Sequence, residues 1–193
     1  MDLKLDPATT ALVLIDVQNG TLAFPLAPYD RNALVVAAAR LGRAFAAARA
    51  PIVAVRVGFS PDGADRLSQA VDVPMMLPAG GLPADWSDLA PEIAALPAAV
   101  SITKRQWSAF HGTELDLQLR RRGIRSLVIG GIATNFGVES TARDAWQHGY
   151  EVIVAEDACT SLGAELHELA MTKTLPRVSR VRSVAQVIEA FTG

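Results

Sequence analysis

Apolar residues arrive along this chain in short unbroken runs, not in alternation with polar ones. ALVLID (11–16), PIVAVRV (51–57), AVSITK (99–104), SLVIGG (126–131), EVIVAED (151–157) and RVSRV (177–181) are rich in β-branched residues. Runs of this length with no polar face suit strands covered on both sides, as in a parallel sheet. Between them, stretches at about 31–49, 114–122, 135–148, 164–175 and 183–191 read as helices. Gly149 supplies a stop for the third, and Ser183 stands where the last needs an N-cap. Strand and helix in turn predict an α/β, doubly wound, mainly parallel six-stranded sheet, order 3-2-1-4-5-6, with helices on both faces. At 193 residues the chain is long enough for one core and short for two, so one domain over 1–193 is expected.

Residues 58–98 interrupt the rhythm. They hold Pro61, Pro74, Pro78, Pro83, Pro91 and Pro97, the Gly80-Gly81 pair, and apolar Met75, Met76, Leu77 and Trp86. A connection this long inside a compact domain is usually functional or packed against something. Two readings stand: an active-site lid or subunit contact, or a short helix packed on its own sheet.

Charge and cysteine usage narrow the partners. A formal charge of −2 and a pI near 5.9 leave no basic footprint for nucleic acid. The run Arg120-Arg121-Arg122 closes a predicted helix before Gly123, where cations suit the negative helix end. One cysteine, Cys159, excludes an internal disulfide and any Cys-x-x-Cys pattern, which fits a reducing compartment. The first apolar run is five residues long and ends in Asp16, too short for a signal peptide core or a membrane span. A cytoplasmic protein acting on a small molecule, with no membrane partner, is expected.

In open parallel sheets chemistry gathers beyond the carboxyl ends of the strands. Asp16 follows ALVLI there, Lys104 follows AVSIT, and the turn from Ala133 to Gly137 follows SLVIGGI. In the expected order the first and fourth strands are neighbours, and the third lies two strands from the first, about 10 Å away. A lysine stem spans most of that gap. An aspartate after a strand is also a common turn former. Lys104 is one of only three lysines, with Lys4 and Lys173, among eighteen basic residues, which suggests that a compact ammonium is wanted there.

The segments LVLIDVQNG, ITKRQWSAFHGTEL and GIATNFGVESTARDAWQHGYEVIVAEDACTS closely resemble, in order and spacing, the isochorismatase-like hydrolases, or cysteine hydrolase superfamily. The resemblance runs from about residue 9 to residue 190. It implies a triad of aspartate, lysine and cysteine whose members fall on Asp16, Lys104 and Gly137, with glycine at the cysteine position. It also implies an oxyanion site made by the amides of Ala133 and Gly137, a cis peptide between Ile132 and Ala133, and a homo-oligomer. Without a thiol, a thioester route cannot run at residue 137. The family's cysteine-free branch, the true isochorismatases, hydrolyses a vinyl ether by acid catalysis. A strand-to-helix turn still aims N–H groups at whatever lies above it.

Trp107 and Phe110, just after Lys104, are candidate walls of the substrate pocket or else core residues. Thr134 and Asn135 in the turn, and Arg56 with Arg66 as anion binders, complete the candidate binding set. Family nicotinamidases carry an Asp-x-His and a second histidine after the second strand; VRVGFSPDGADRL has no histidine, so no metal and no cofactor are implied. Isochorismatases carry a glutamine where Gly58 and Phe59 stand, which leaves the substrate open. His111 could lie at the pocket mouth, His148 and His167 read as surface or packing residues, and Cys159 reads as structural. Two functions follow. One is a hydrolase using Asp16 and Lys104 for acid–base chemistry on a vinyl ether or C–N bond; the other is a non-catalytic binding or scaffolding protein that kept the fold and pocket.

Overall fold

All six apolar runs become strands, shifted by a few residues at most. They are β1 Thr10–Ile15, β2 Ile52–Val57, β3 Val100–Lys104, β4 Ser126–Ile132, β5 Glu151–Thr160 and β6 Arg180–Arg182. The computed structural model describes residues 3–74 and 81–191. The strands form one sheet in the order β3-β2-β1-β4-β5-β6, every neighbouring pair parallel. The helices are α1 Asn19–Leu22, α2 Arg31–Ala47, α3 Pro91–Ala94, α4 Leu115–Arg121, α5 Glu139–Gln147, α6 Ala164–Leu169 and α7 Val184–Glu189. Capping chemistry sets several boundaries. Asp30 accepts the Ala33 N–H at 2.8 Å ahead of α2, and Ser183 and Gln186 form a reciprocal capping box at α7. The predicted helix at 164–175 is broken: a π-helical turn, Ala170–Thr174, follows α6, and a 3-10 turn, Leu175–Arg177, follows that. The sixth strand accordingly starts at Arg180, later than the apolar run suggests.

Strand residues alternate between two apolar layers. Val13, Ile15, Val53, Val55, Ile102, Leu127, Ile129 and Val154 face one way, against Leu115 and Leu119 of α4 and Ala142 and Ala145 of α5. Leu12, Leu14, Ile52, Val128 and Ile153 face the other way, against Leu34, Ala38, Leu41 and Phe45 of α2 and Val184 and Val187 of α7. Both faces of the sheet are therefore covered, which is why its strands read as unbroken apolar runs.

The connection at 58–98 joins this body in its described part. Trp86 is half-buried, its carbonyl accepts the Gly20 N–H at 2.9 Å, and its ring lies where a side chain on Gly20 would stand. Ile93 of α3 is buried against α2. The reading of a short helix packed on its own body accounts for these residues; Met75, Met76, Leu77 and Pro78 lie outside the described residues.

The ends of β1 and β4 approach very closely, and one glycine permits it. Gly131 has φ +132°, and a Cβ there would stand 2.0 Å from the Ile15 carbonyl oxygen. Backbone cannot yield as a side-chain tip can. Gly131→Ala should therefore lose more than about 3 kcal/mol of stability in urea unfolding, or fail to fold. Gly149→Ala, at φ +85° with open space around it, should lose about 1–2 kcal/mol. Equal losses at the two positions would mean that the strand approach imposes no constraint.

Candidate active site

Strand direction explains how the first two polar residues meet. Val100, Ile102 and Lys104 share the buried face of β3, so the Lys104 stem runs inward among apolar side chains. The chain leaves β1 at Asp16 in a left-handed conformation, φ +52°, which turns the carboxylate off the strand's alternation. That backbone is held by the Asp16 N–H on the Val55 carbonyl at 2.9 Å and by the Thr21 hydroxyl on the Asp16 carbonyl. Lys104 Nζ then reaches Asp16 Oδ2 at 2.6 Å, with both residues under 5 % exposed. Nζ also donates to the Gln106 carbonyl at 3.0 Å. Asp16 Oδ1 is buried and has no hydrogen-bond partner among the described residues.

Two opposed influences act on the Asp16 carboxyl. Burial pushes it up from the ordinary 3.8, and the Lys104 ammonium, by charge and hydrogen bond, pulls it down; burial prevails and the group sits at about 6. Near neutral pH both protonation states are accessible, which suits a proton-transfer group.

The turn after β4 closes the site. The Ile132–Ala133 peptide is cis, and residues Thr134–Val138 form a π-helical turn that runs directly into α5. The Ala133 carbonyl accepts the N–H groups of Phe136, at 3.0 Å, and Val138, at 3.2 Å. Irregular turns of this kind often mark functional positions. A Cβ on Gly137 would lie 3.4 Å from Asp16 Oδ2 and 3.1 Å from both the Ile132 carbonyl and Ile15 Cγ2. Residue 137 thus faces the carboxylate. The Thr141 hydroxyl donates to the Gly137 carbonyl at 2.7 Å and accepts the Ala109 N–H at 3.0 Å, tying the turn to the segment that follows Lys104.

The binding candidates separate into those near the turn and those elsewhere. Trp107 is 55 % exposed and meets the Phe136 ring edge-on, centroids 4.9 Å apart, beside residue 137. Phe110 does not belong with it: it is buried in the core against the His148 and Tyr150 rings, because the chain after Trp107 turns inward over Ser108, Ala109 and Phe110. Thr134 is likewise not a substrate contact, since it is fully buried with its hydroxyl on His167 Nδ1 at 2.9 Å. Asn135 is half-buried and its side-chain Oδ1 accepts the Ser161 hydroxyl. Arg56 is exposed on β2, bonds Thr103 on the neighbouring strand at 3.1 Å, and makes no ion pair with Asp16. Arg66 and His111 are exposed.

Two buried polar residues lie outside the candidate set. Gln18 is fully buried and clamps strand to loop: its Nε2 donates to the Val57 and Trp86 carbonyls at 3.0 Å each, and its Oε1 accepts the Val57 N–H at 2.8 Å. Of the two roles expected for His167, surface or packing, its 4 % exposure fits packing. Cys159 is fully buried and burial pushes its thiol far up, so it is no nucleophile at neutral pH. Among the described residues, no three His, Cys, Asp or Glu side chains gather as a metal site, and no helix is long and apolar enough to cross a membrane.

Comparison with known proteins places this geometry in a family. A family model for the isochorismatase domain matches residues 10–186. The isochorismatase family protein YecD of Escherichia coli O157:H7 is 46 % identical over 189 residues, covering 98 % of this chain and 100 % of the relative. The ureidoacrylate amidohydrolase RutB of Methylobacterium radiotolerans is 35 % identical over 195 residues, covering 88 % of this chain and 74 % of the relative. The solved structure of an isochorismatase family protein from Burkholderia thailandensis superposes with a TM-score of 0.93, at 41 % identity and full coverage of both chains. With a family model matching nearly its whole length and relatives of this identity, the chain belongs to the isochorismatase family of hydrolases.

Proposed function

We propose that this hydrolase works without a covalent cysteine intermediate, with Asp16 moving the proton and Lys104 fixing and charging the site. The observation that carries the reading is the approach of Asp16 Oδ2 to within 3.4 Å of the place where a side chain on Gly137 would begin. A hydrogen stands there in place of an attacking group. The space above it takes the reacting atom of a substrate, or a water.

Either of two bonds suits the pair. On a vinyl ether, protonated Asp16 gives its proton to the terminal carbon, and water adds to the resulting oxocarbenium carbon. The water's proton returns to the Asp16 carboxylate, and the hemiketal collapses to a ketone and an alcohol. On a C–N bond, ionised Asp16 takes a proton from water as that water attacks the carbonyl carbon, then passes it to the departing nitrogen. The Gly137 N–H, at the entry to α5, supports charge developing on oxygen in the second case. The likeness to a ureidoacrylate amidohydrolase supports the C–N alternative, and the glycine at residue 137 supports the vinyl ether. Trp107, exposed beside the turn, supplies an apolar wall for either substrate.

Screening of vinyl ethers, amides and carbamoyl compounds should find turnover that falls by at least about 10²-fold in Asp16→Asn, as expected on losing a general acid or base. Turnover unchanged by that substitution would place the chemistry elsewhere, and no turnover in any class would favour a non-catalytic binding protein. Gly137→Cys puts a thiol against the Asp16 carboxylate and Lys104 at the entry to α5. Iodoacetamide should label it ahead of Cys159, and faster at pH 7 than a free thiol with a pKa of about 8.5. Labelling at residue 137 no faster than that of a free thiol would show that the surroundings do not stabilise negative charge.

A further inference from the structure

A second polar group touches the same turn at its first residue. The hydroxyls of Thr113, Thr141, Thr172 and Thr174 each bond the carbonyl four residues back. Thr134 lacks this option, because four residues back is Gly130, within β4. Its hydroxyl bonds His167 Nδ1 instead. On the far side of the ring, Nε2 is buried with no hydrogen-bond partner among the described residues; Glu156 Oε1, which accepts the Tyr29 hydroxyl at 3.0 Å, lies 3.6 Å from it, and the Tyr29 ring meets the imidazole edge-on at 5.8 Å. A carboxylate facing Nε2 favours the proton on that nitrogen. Nδ1 is then the acceptor and the Thr134 hydroxyl the donor. Burial lowers the His167 pKa, against the upward pull of Glu156, so the ring is neutral at neutral pH.

We propose that His167 is a positioning residue for the turn: through Thr134 it fixes the direction in which the Gly137 N–H and the start of α5 face the reacting atoms, without touching substrate. Thr134 follows the cis peptide immediately and opens the π-helical turn, and residue 137 lies one turn further on. Rotation of Thr134 therefore swings the Gly137 amide. Three lines of restraint converge on these five residues: Thr134 on His167, Asn135 on Ser161, and the Gly137 carbonyl on Thr141. Among these partners, His167 has a carboxylate facing its other ring nitrogen, at 3.6 Å. The catalytic meaning rests on the hydrolase reading above; the positioning itself can be read without turnover.

The test uses the Gly137→Cys chain and follows the pH dependence of iodoacetamide labelling at residue 137. His167 lines an open cleft of about 510 Å³, so replacing it enlarges space open to solvent and leaves no sealed void. Thr134→Val and His167→Gln remove the bond while nearly conserving volume. Each should slow labelling at pH 7 by about tenfold and move its pH midpoint upward. Thr134→Ser and His167→Asn restore a hydrogen-bonding atom at the same place and should stay within about twofold of the parent. Parent-like labelling in all four would overturn the proposal, as would Ser and Asn variants that fall as far as Val and Gln, the mark of a packing role alone. If Thr134→Val does not fold, the Gln and Asn pair decides. A chain that turns over no substrate would remove the hydrolase reading and leave this result standing.

Discussion

The arrangement depends on one buried ion pair. Asp16 and Lys104 come from strands two places apart, and they meet only because the sheet order sets β2 between them and the lysine stem crosses its end. Removing two charges from water costs several kcal/mol for each ion, which a single contact offsets only in good geometry. The balance is visible in Asp16 itself. Its carboxyl sits near 6, above the ordinary 3.8, so the folded chain holds that proton more tightly than the unfolded one. Its contribution to stability is complete below about pH 4 and is lost as pH rises through 6, on the order of 3 kcal/mol. Stability at neutral pH is given up at the place where the proposed proton transfer needs it.

The second constraint is the narrow space in which the β1 and β4 ends lie side by side. Gly131 admits the Ile15 carbonyl, the chain enters the cis peptide one residue later, and the π-helical turn brings residue 137 over the carboxylate. Each step depends on the one before. An added methyl at 131, with φ +132°, would stand 2.0 Å from the Ile15 carbonyl oxygen, whereas one at 137 would stand 3.1 Å from both the Ile132 carbonyl oxygen and Ile15 Cγ2, a tight contact that calls for shifts of only a few tenths of an ångström. The glycine at 137 is therefore not demanded by the fold as the one at 131 is, which is why its chemical consequence carries weight.

Much of this was legible in the chain, and the rest was not for identifiable reasons. Asp16 and Lys104 stood out because a polar residue ended an apolar run, and the sheet order then fixed their neighbourhood. Thr134 was placed in the pocket and Phe110 between pocket and core because both sit just past a strand, where side chains no longer alternate and only the loop's course decides what faces inward. His167 could be read only as surface or packing because α6 is six residues long and runs into a π-helical turn, so periodicity gave its face no sign. Its partner comes from thirty-three residues earlier. Gln18 was overlooked for a similar reason: its three bonds reach backbone at Val57 and Trp86, which no local pattern announces.

The central claim is that Asp16 is a desolvated proton carrier steadied by Lys104. Carbon-13 NMR of the side-chain carboxyl reads this directly, as the Asp16 signal is followed through pH in the intact chain. The account predicts a midpoint at about 6, and a higher one in Lys104→Met, where the ammonium no longer pulls it down. A midpoint near the ordinary 3.8, or one that does not move when Lys104 is replaced, would contradict it.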